Sequence, residues 1–356
     1  MSTPLATSPG TTDDLPQVYR PLPSWAPWAV AGGALVLALL LRAALGSGPV
    51  LTAVFVAVLF TLGIHVVSRA VEGRRRAADR TVTAIVSVMF ATAMVPLVSL
   101  LYTVISRGSE RFDVDFFSLT MRNVVGEGGG ARHAIIGTLQ ITGLAAVISI
   151  PIGLLTAIYL VEYGRGRLAR TVTFLVDVMT GIPSIVAGLF AYALFVIFFG
   201  PGVRFGIGGA VALAVLMVPV VVRASEEMLK LVPAELREAS YALGVPKWRT
   251  ILKVVLPVAA AGIGTGITLA IARVIGETAP LLLIAGRSAS LNTDPFNGSM
   301  QTLPVYAFYS FFTPGVNPQF DLDRAWAAAL VLMLIVLLLN LVARVIAKAF
   351  APKGSR

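Results

Sequence analysis

The sequence predicts an all-α, polytopic integral membrane protein, a helical bundle, and three observations lead there. The chain of 356 residues is 57% apolar and 13% charged, with a mean hydropathy of +0.86, a balance typical of membrane proteins. Apolar runs of about 20 residues, the length a helix needs to cross roughly 30 Å of hydrocarbon, recur from end to end. Lys and Arg stand in short clusters between those runs and not along one face. The net charge of +10 therefore reads as a topology signal, with membrane lipid as partner and no nucleic acid.

Taken in order, residues 1–24 are rich in Pro, Ser and Thr, carry Asp13 and Asp14 and lack a basic start. They read as a disordered cytoplasmic tail, not a signal peptide. Eight apolar spans follow, at 25–45, 50–67, 82–105, 134–161, 171–199, 208–222, 254–285 and 326–347, and a short tail, 351–356, closes the chain. Basic clusters at Arg69, Arg74, Arg75, Arg76 and Arg80, at Arg165, Arg167 and Arg170, and at Lys348, Lys353 and Arg356 place their segments in the cytoplasm, with both termini. The longer connections then lie outside, one of them holding LPVYAFYSFF (303–312), an aromatic patch suited to the membrane surface. Trp25, Trp28 and Trp326 read as interfacial anchors, while Arg42 and His65 sit near span ends. Pro96, Pro151, Pro183, Pro219 and Pro280 fall inside spans, where each frees a carbonyl that lipid cannot satisfy. Such spans must pack on one another or line a wet cavity.

The residue inventory excludes several chemistries. With no Cys there are no disulfides, thiolate metal sites or Cys nucleophile, and the two His, His65 and His133, stand too far apart for an HExxH zinc site. None of the Lys residues follows a Gly, so the GxxxxGK[ST] loop of an ATPase is missing. No nucleophile, base and orienting group come together, so no enzyme is expected, and no cofactor or metal on this chain.

The segment REASYALGVPKWRTILKVVLP (237–257) interrupts the apolar C-terminal half with charges of both signs. Pro233 fits the first turn of a helix, Glu235 and Glu238 suit its positive end, and Gly244 stands where a helix stops in a left-handed cap. Pro246 starts a second helix that leads into the seventh span. Leu236, Ala239 and Leu243 form a narrow apolar stripe, in size an inserted ridge and not a core. Trp248 is expected to pack beneath the first helix.

Glu238, Ala239, Gly244, Leu256 and Pro257 stand at the spacing EAA-x3-G-x9-I-x-LP, with Ser240 and Val254 at the two departing positions. That spacing resembles the cytoplasmic coupling loop of ABC-importer permeases, here 233–257. The stretches GEGGGARHAIIGTL, IPIGLLTAIYLVEYGRGR, GIPSIVAGLF, REASYALGVPKW and ARVIGETAPLLLIAG resemble the A-type permease subunit (PstA) of bacterial phosphate importers, of the MetI-like family, over 81–346. The resemblance implies a six-helix permease core at 81–350, preceded at 25–80 by an extra transmembrane helix pair and its basic loop. It implies a homologous PstC-like permease as the other half of the pathway and a PstS-like extracytoplasmic phosphate-binding protein. A cytoplasmic PstB-like ATPase dimer would carry the ATP and Mg and contact Glu238, Ala239, Ser240 and Gly244. Permeases for molybdate, sulfate or phosphonate share the architecture, and an ion-coupled secondary transporter is the rival of a different class.

Inside the seventh span, Arg273 and Glu277 are four residues apart, which on one continuous helix puts them on a shared face. Gly262 and Gly266 continue that face as a small-residue stripe. An Arg in hydrocarbon costs roughly 2.5 to 3.5 kcal/mol, so something must compensate it. Either Arg273 and Glu277 neutralise each other, or Arg273 attracts an anion that Glu277 keeps it from holding too tightly. The resemblance of ARVIGETAP to phosphate permeases favours the second and adds Thr278 to the expected pathway residues. Asp177 is expected to be a solvated or helix-packing residue.

Overall fold

The computed structural model describes residues 21–350 and is helical throughout its regular elements. Residues 1–20 and 351–356, and so most of the expected tails, lie outside the described residues. Among the described residues seven helices are long and apolar enough to cross a membrane, and one bent pair makes up to eight. The chain is a multi-pass membrane protein.

It divides between Leu101 and Tyr102 into two compact units. In the first, α1 (Ala26–Leu45) and α2 (Pro49–Val71) form a hairpin. Gly46 at φ +63° ends α1 in a left-handed cap, and Pro49 opens α2 where its missing N–H costs nothing. The two helices touch at Gly63, where a Cβ would come within 2.8 Å of Val30. A third helix, α3 (Arg74–Gly108), follows a tight turn at Gly73.

That turn is fastened by Glu72. Its side chain is fully buried beside Arg80, accepts from Arg80 Nε at 2.5 Å and Nη2 at 2.8 Å, from Ser68 Oγ at 2.7 Å and from the backbone N–H of Leu22 at 2.8 Å. Chiefly through Arg80, and against the opposing effect of burial, these donors hold its carboxyl down at about 2. A carboxyl depressed in the fold contributes stability that is fully present above the unfolded value near 4.5 and is lost as pH falls toward 2. Glu72→Gln should flatten the fall in thermal unfolding midpoint between pH 4.5 and 2. An unchanged profile would contradict this role.

The second unit is built around two parallel helices, α5 (Arg132–Ile158) and α8 (Gly206–Lys230). A short α4 (Val114–Ser118), capped by the Asp113 carboxylate on Phe116 N–H at 2.7 Å, leads into α5. Gly153 lets α5 and α8 close to where a Cβ would lie 2.6 Å from Val221. Ile141 and Ala145 of α5, Leu213, Met217 and Val221 of α8, and Ala270 and Val274 of α11 (Leu256–Val274) make the buried centre. The glycine stripe expected on α11 packs there: Cβ atoms at Gly262 and Gly266 would strike Met228 and Ala224 of α8. Beyond α11 lie α12 (Ala279–Ile284), α13 (Leu303–Phe312) and a long α14 (Pro318–Phe350).

Two expected spans are not single helices. The fifth is α6 (Gly166–Thr180) and α7 (Ser184–Phe199), bent by 108° at Gly181–Pro183. Pro183 disfavours a helical Ile182, and Gly181 already closes α6, so the chain turns there. The seventh stops at Val274, because Pro280 has no N–H for the carbonyl of Gly276 and the turn at Glu277 closes instead on Val274 O at 3.1 Å.

Candidate functional site

The charged interruption folds as two short helices, α9 (Ala234–Ala242) and α10 (Lys247–Thr250), joined at Gly244. Gly244, at φ +74°, donates to Tyr241 O at 2.9 Å while Val245 donates to Ser240 O at 3.2 Å. These paired bonds satisfy the last carbonyls of α9, and the left-handed residue between them favours Gly. The Ser240 hydroxyl turns inward, 2.8 Å from Thr250 Oγ1, and locks α9 to α10. Glu238 and Ala239 face outward, as do the apolar side chains of Leu236, Tyr241 and Leu243, the last 82% exposed. Trp248 is not beneath α9: it is 54% exposed, with the Arg249 guanidinium 5.1 Å from its ring.

This knuckle is bolted to the ends of α5 and α8. The chain continues past α5 as a wider turn, Tyr159–Tyr163, that carries Glu162 inward. Arg237 pairs with Glu162 at 2.9 Å, with the two side chains 17% and 5% exposed, and also donates to the carbonyls of Val232 and Leu229. Lys247 donates to the Glu162 carbonyl and lies over the Tyr163 ring. From α10 a second widened turn, Ile251–Val255, runs directly into α11. The α9–α10 knuckle is thus joined to the ends of α5 and α8 and to the start of α11.

At the other end of α11, sixteen residues and about 24 Å above Pro257, Arg273 and Glu277 line one cavity of about 250 Å³. Its remaining walls come from Thr180 and Ile182 at the α6–α7 bend and from Pro219 and Val220 of α8. Two helix breaks meet there, the α6–α7 bend and the end of α11 after Val274, beside Pro219 inside the continuous α8. The two side chains do not neutralise each other: α11 ends between them, and among the described residues neither has an ion-pair or hydrogen-bonding partner. Arg273 is exposed and Glu277 half-buried. Thr278 lies elsewhere, in a recess with Pro304, Phe308 and Trp326.

The chain matches the family model described as binding-protein-dependent transport system inner membrane component over residues 149–356. It belongs to that family. Among curated relatives, the phosphate transport system permease protein PstA 1 of Mycobacterium tuberculosis (strain H37Rv) is 48% identical over 79% of this chain and 91% of its own length. The Mycobacterium leprae PstA is 45% identical over 78% and 90%, and the Yersinia pestis PstA 42% identical over 72% and 84%. The inward-facing methionine ABC transporter MetNI shares the fold, with a TM-score of 0.52 at 22% identity, covering 62% of this chain and 96% of that one.

Seen as an inner membrane component of such a transport system, the chain holds charges that the sequence reading passed over. Asp177 of α6, expected as a solvated or helix-packing residue, keeps its side chain 60% exposed and pairs with Arg223 of α8, a partner the sequence reading did not name. Arg223 also pairs with Glu226 at 2.7 Å, and Glu226 with Lys230 at 2.7 Å. The run RASEEMLK at the end of the sixth span was the available signal; its partner on α6 is 46 residues away and carried none. Arg223 lies one turn past Pro219, which lines the Arg273 cavity, but is not itself among the residues lining it. Arg237→Ala should destabilise the protein by about 3 kcal/mol by leaving Glu162 buried and unpaired, read as a lowered unfolding midpoint in detergent. Arg237→Lys should recover part of that loss.

Proposed function

We propose that this chain is a permease half of an ATP-driven phosphate importer, with both termini and the α9 knuckle on the cytoplasmic side. The observation that carries this reading is the unpartnered Arg273 on the wall of an intramembrane cavity, in a chain whose relatives are named phosphate transport permeases. An anion entering the cavity compensates the guanidinium, and Glu277 on the same wall limits how tightly it is held, as conduction requires. The core at 81–350 pairs with a homologous permease to close the pathway, and an extracytoplasmic binding protein delivers phosphate. The residues at 25–80 form the additional transmembrane pair with its basic loop.

Energy enters from a separate cytoplasmic ATPase dimer that holds ATP and Mg. Glu238, Ala239 and the exposed apolar side chains of α9 insert into its cleft, while Ser240 and Gly244 keep the inserted helix rigid. Motion then passes through the continuous backbone of α10 and α11 to Arg273. Thr278 belongs to the packing around α13 on this reading and not to the cavity wall.

Two substitutions test the two ends. Arg273→Gln in the reconstituted complex should abolish ATP-dependent phosphate uptake while subunit assembly and ATP binding persist; retained uptake removes Arg273 from the pathway. Sulfate and molybdate run in parallel identify a permease for another oxyanion if either is taken up in place of phosphate. Gly244→Val forces a β-branched residue into a left-handed backbone and should uncouple ATP hydrolysis from uptake, so that persistence of both contradicts the coupling role.

A further inference from the structure

At the end of the second unit opposite the α9 knuckle lies a recess that the proposed pathway does not use. The knuckle is fastened at the C-terminal end of α5, whereas the recess adjoins its N-terminal end, where His133 meets Tyr306 edge to face, about 40 Å away by the rise of a 27-residue helix. Its volume is about 360 Å³. Its walls are α13, the first turns of α14, the loop at 121–126 and the irregular segment after α12 that carries Arg287.

Three groups there lack the partners their chemistry demands. Arg324 is 3% exposed, yet its donors go to the carbonyls of Phe320 and Gly126 and to the Met121 thioether. Among the described residues its one carboxylate partner is Asp321, at 3.7 Å, and Asp321 also accepts from Gly315 N–H. A buried guanidinium is compensated by close, well-formed ion pairs, and this one has none. Tyr306 is 3% exposed and its hydroxyl is buried without a hydrogen-bond partner, a costly state for a donor. Burial raises the phenol's pKa, so the proton stays in place. Arg287 leans over the Tyr309 ring at 4.9 Å and, among the described residues, has no carboxylate within ion-pair reach. Two Arg against one Asp leave the recess net positive.

We propose that this recess binds a small inorganic oxyanion, held by Arg287 and the Tyr306 hydroxyl in the field of Arg324. A neutral guest would leave the buried guanidinium uncompensated and a cation would be repelled. An oxyanion accepts around its whole periphery, which suits donors arriving from three separate elements. The site is independent of the Arg273 cavity and does not require that phosphate be the transported ion.

Equilibrium dialysis of radiolabelled inorganic phosphate against the full chain in detergent tests it, in an Arg273→Gln background that silences the cavity. That protein should still bind phosphate, more weakly as salt rises. Tyr306→Phe, which deletes one oxygen, and Arg287→Gln, at an exposed position, should each weaken binding by about tenfold while leaving the far-ultraviolet circular dichroism unchanged. The absence of phosphate binding in the Arg273→Gln background would overturn the proposal, as would binding that neither second substitution alters. Displacement by acetate but not by sulfate would also overturn it and assign the recess to a carboxylate side chain of a docking protein.

Discussion

Glu162 is the fixed point that holds the α9–α10 knuckle to the bundle. It is a buried carboxylate at the end of a membrane-crossing helix, where an uncompensated charge is intolerable, so Arg237 and the backbone carbonyls it also grips are held in one geometry. Because Arg237 belongs to α9, the knuckle cannot pivot on the membrane surface independently of α5 and α8. Lys247 repeats the constraint from α10. The Gly244 cap and the Ser240–Thr250 hydrogen bond then make the two short helices one rigid piece. What remains free is the outward face, which carries apolar side chains and Glu238.

At the far end of α11 the logic is reversed. Around Glu162 every donor finds an acceptor, whereas at the Arg273 cavity the fold leaves a cation and a carboxylate on one wall without joining them. The break after Val274 is what separates them: a helix continued by one more turn would bring the pair within reach and satisfy it. Pro280, which the hydrophobic pattern alone would count against a membrane span, thereby keeps Arg273 available. Arg223, a turn beyond Pro219, is by contrast satisfied by Asp177 and Glu226, which ties α8 to α6.

Local signals in the sequence carried much of this and long-range ones very little. Span positions followed from hydropathy because each helix must bury its own backbone in lipid. The Gly244 cap was legible because Pro233, Gly244 and Pro246 each act on their immediate neighbours. The bend at Gly181–Pro183 was not, since a Pro inside an apolar run is compatible with either a kinked span or a turned one, and the decision lies in what packs around it. Ser240 offered no sign that it faces Thr250, and Trp248 no sign that it stays exposed. Glu162 and Arg324 escaped notice, as did the Arg223 partner of Asp177, for one reason: each matters through a partner on another element, and a single sequence does not state which elements meet.

What α9 docks against decides its role. The chain has no cysteine of its own, so Leu243→Cys introduces one thiol on the exposed face of the knuckle, to which a benzophenone maleimide can be attached. Photolysis of the intact complex in native-like membrane should yield an adduct with the ATPase chain, in an amount that changes between the ATP-bound and nucleotide-free states. Adducts with lipid alone, at a yield indifferent to nucleotide, would contradict a coupling role.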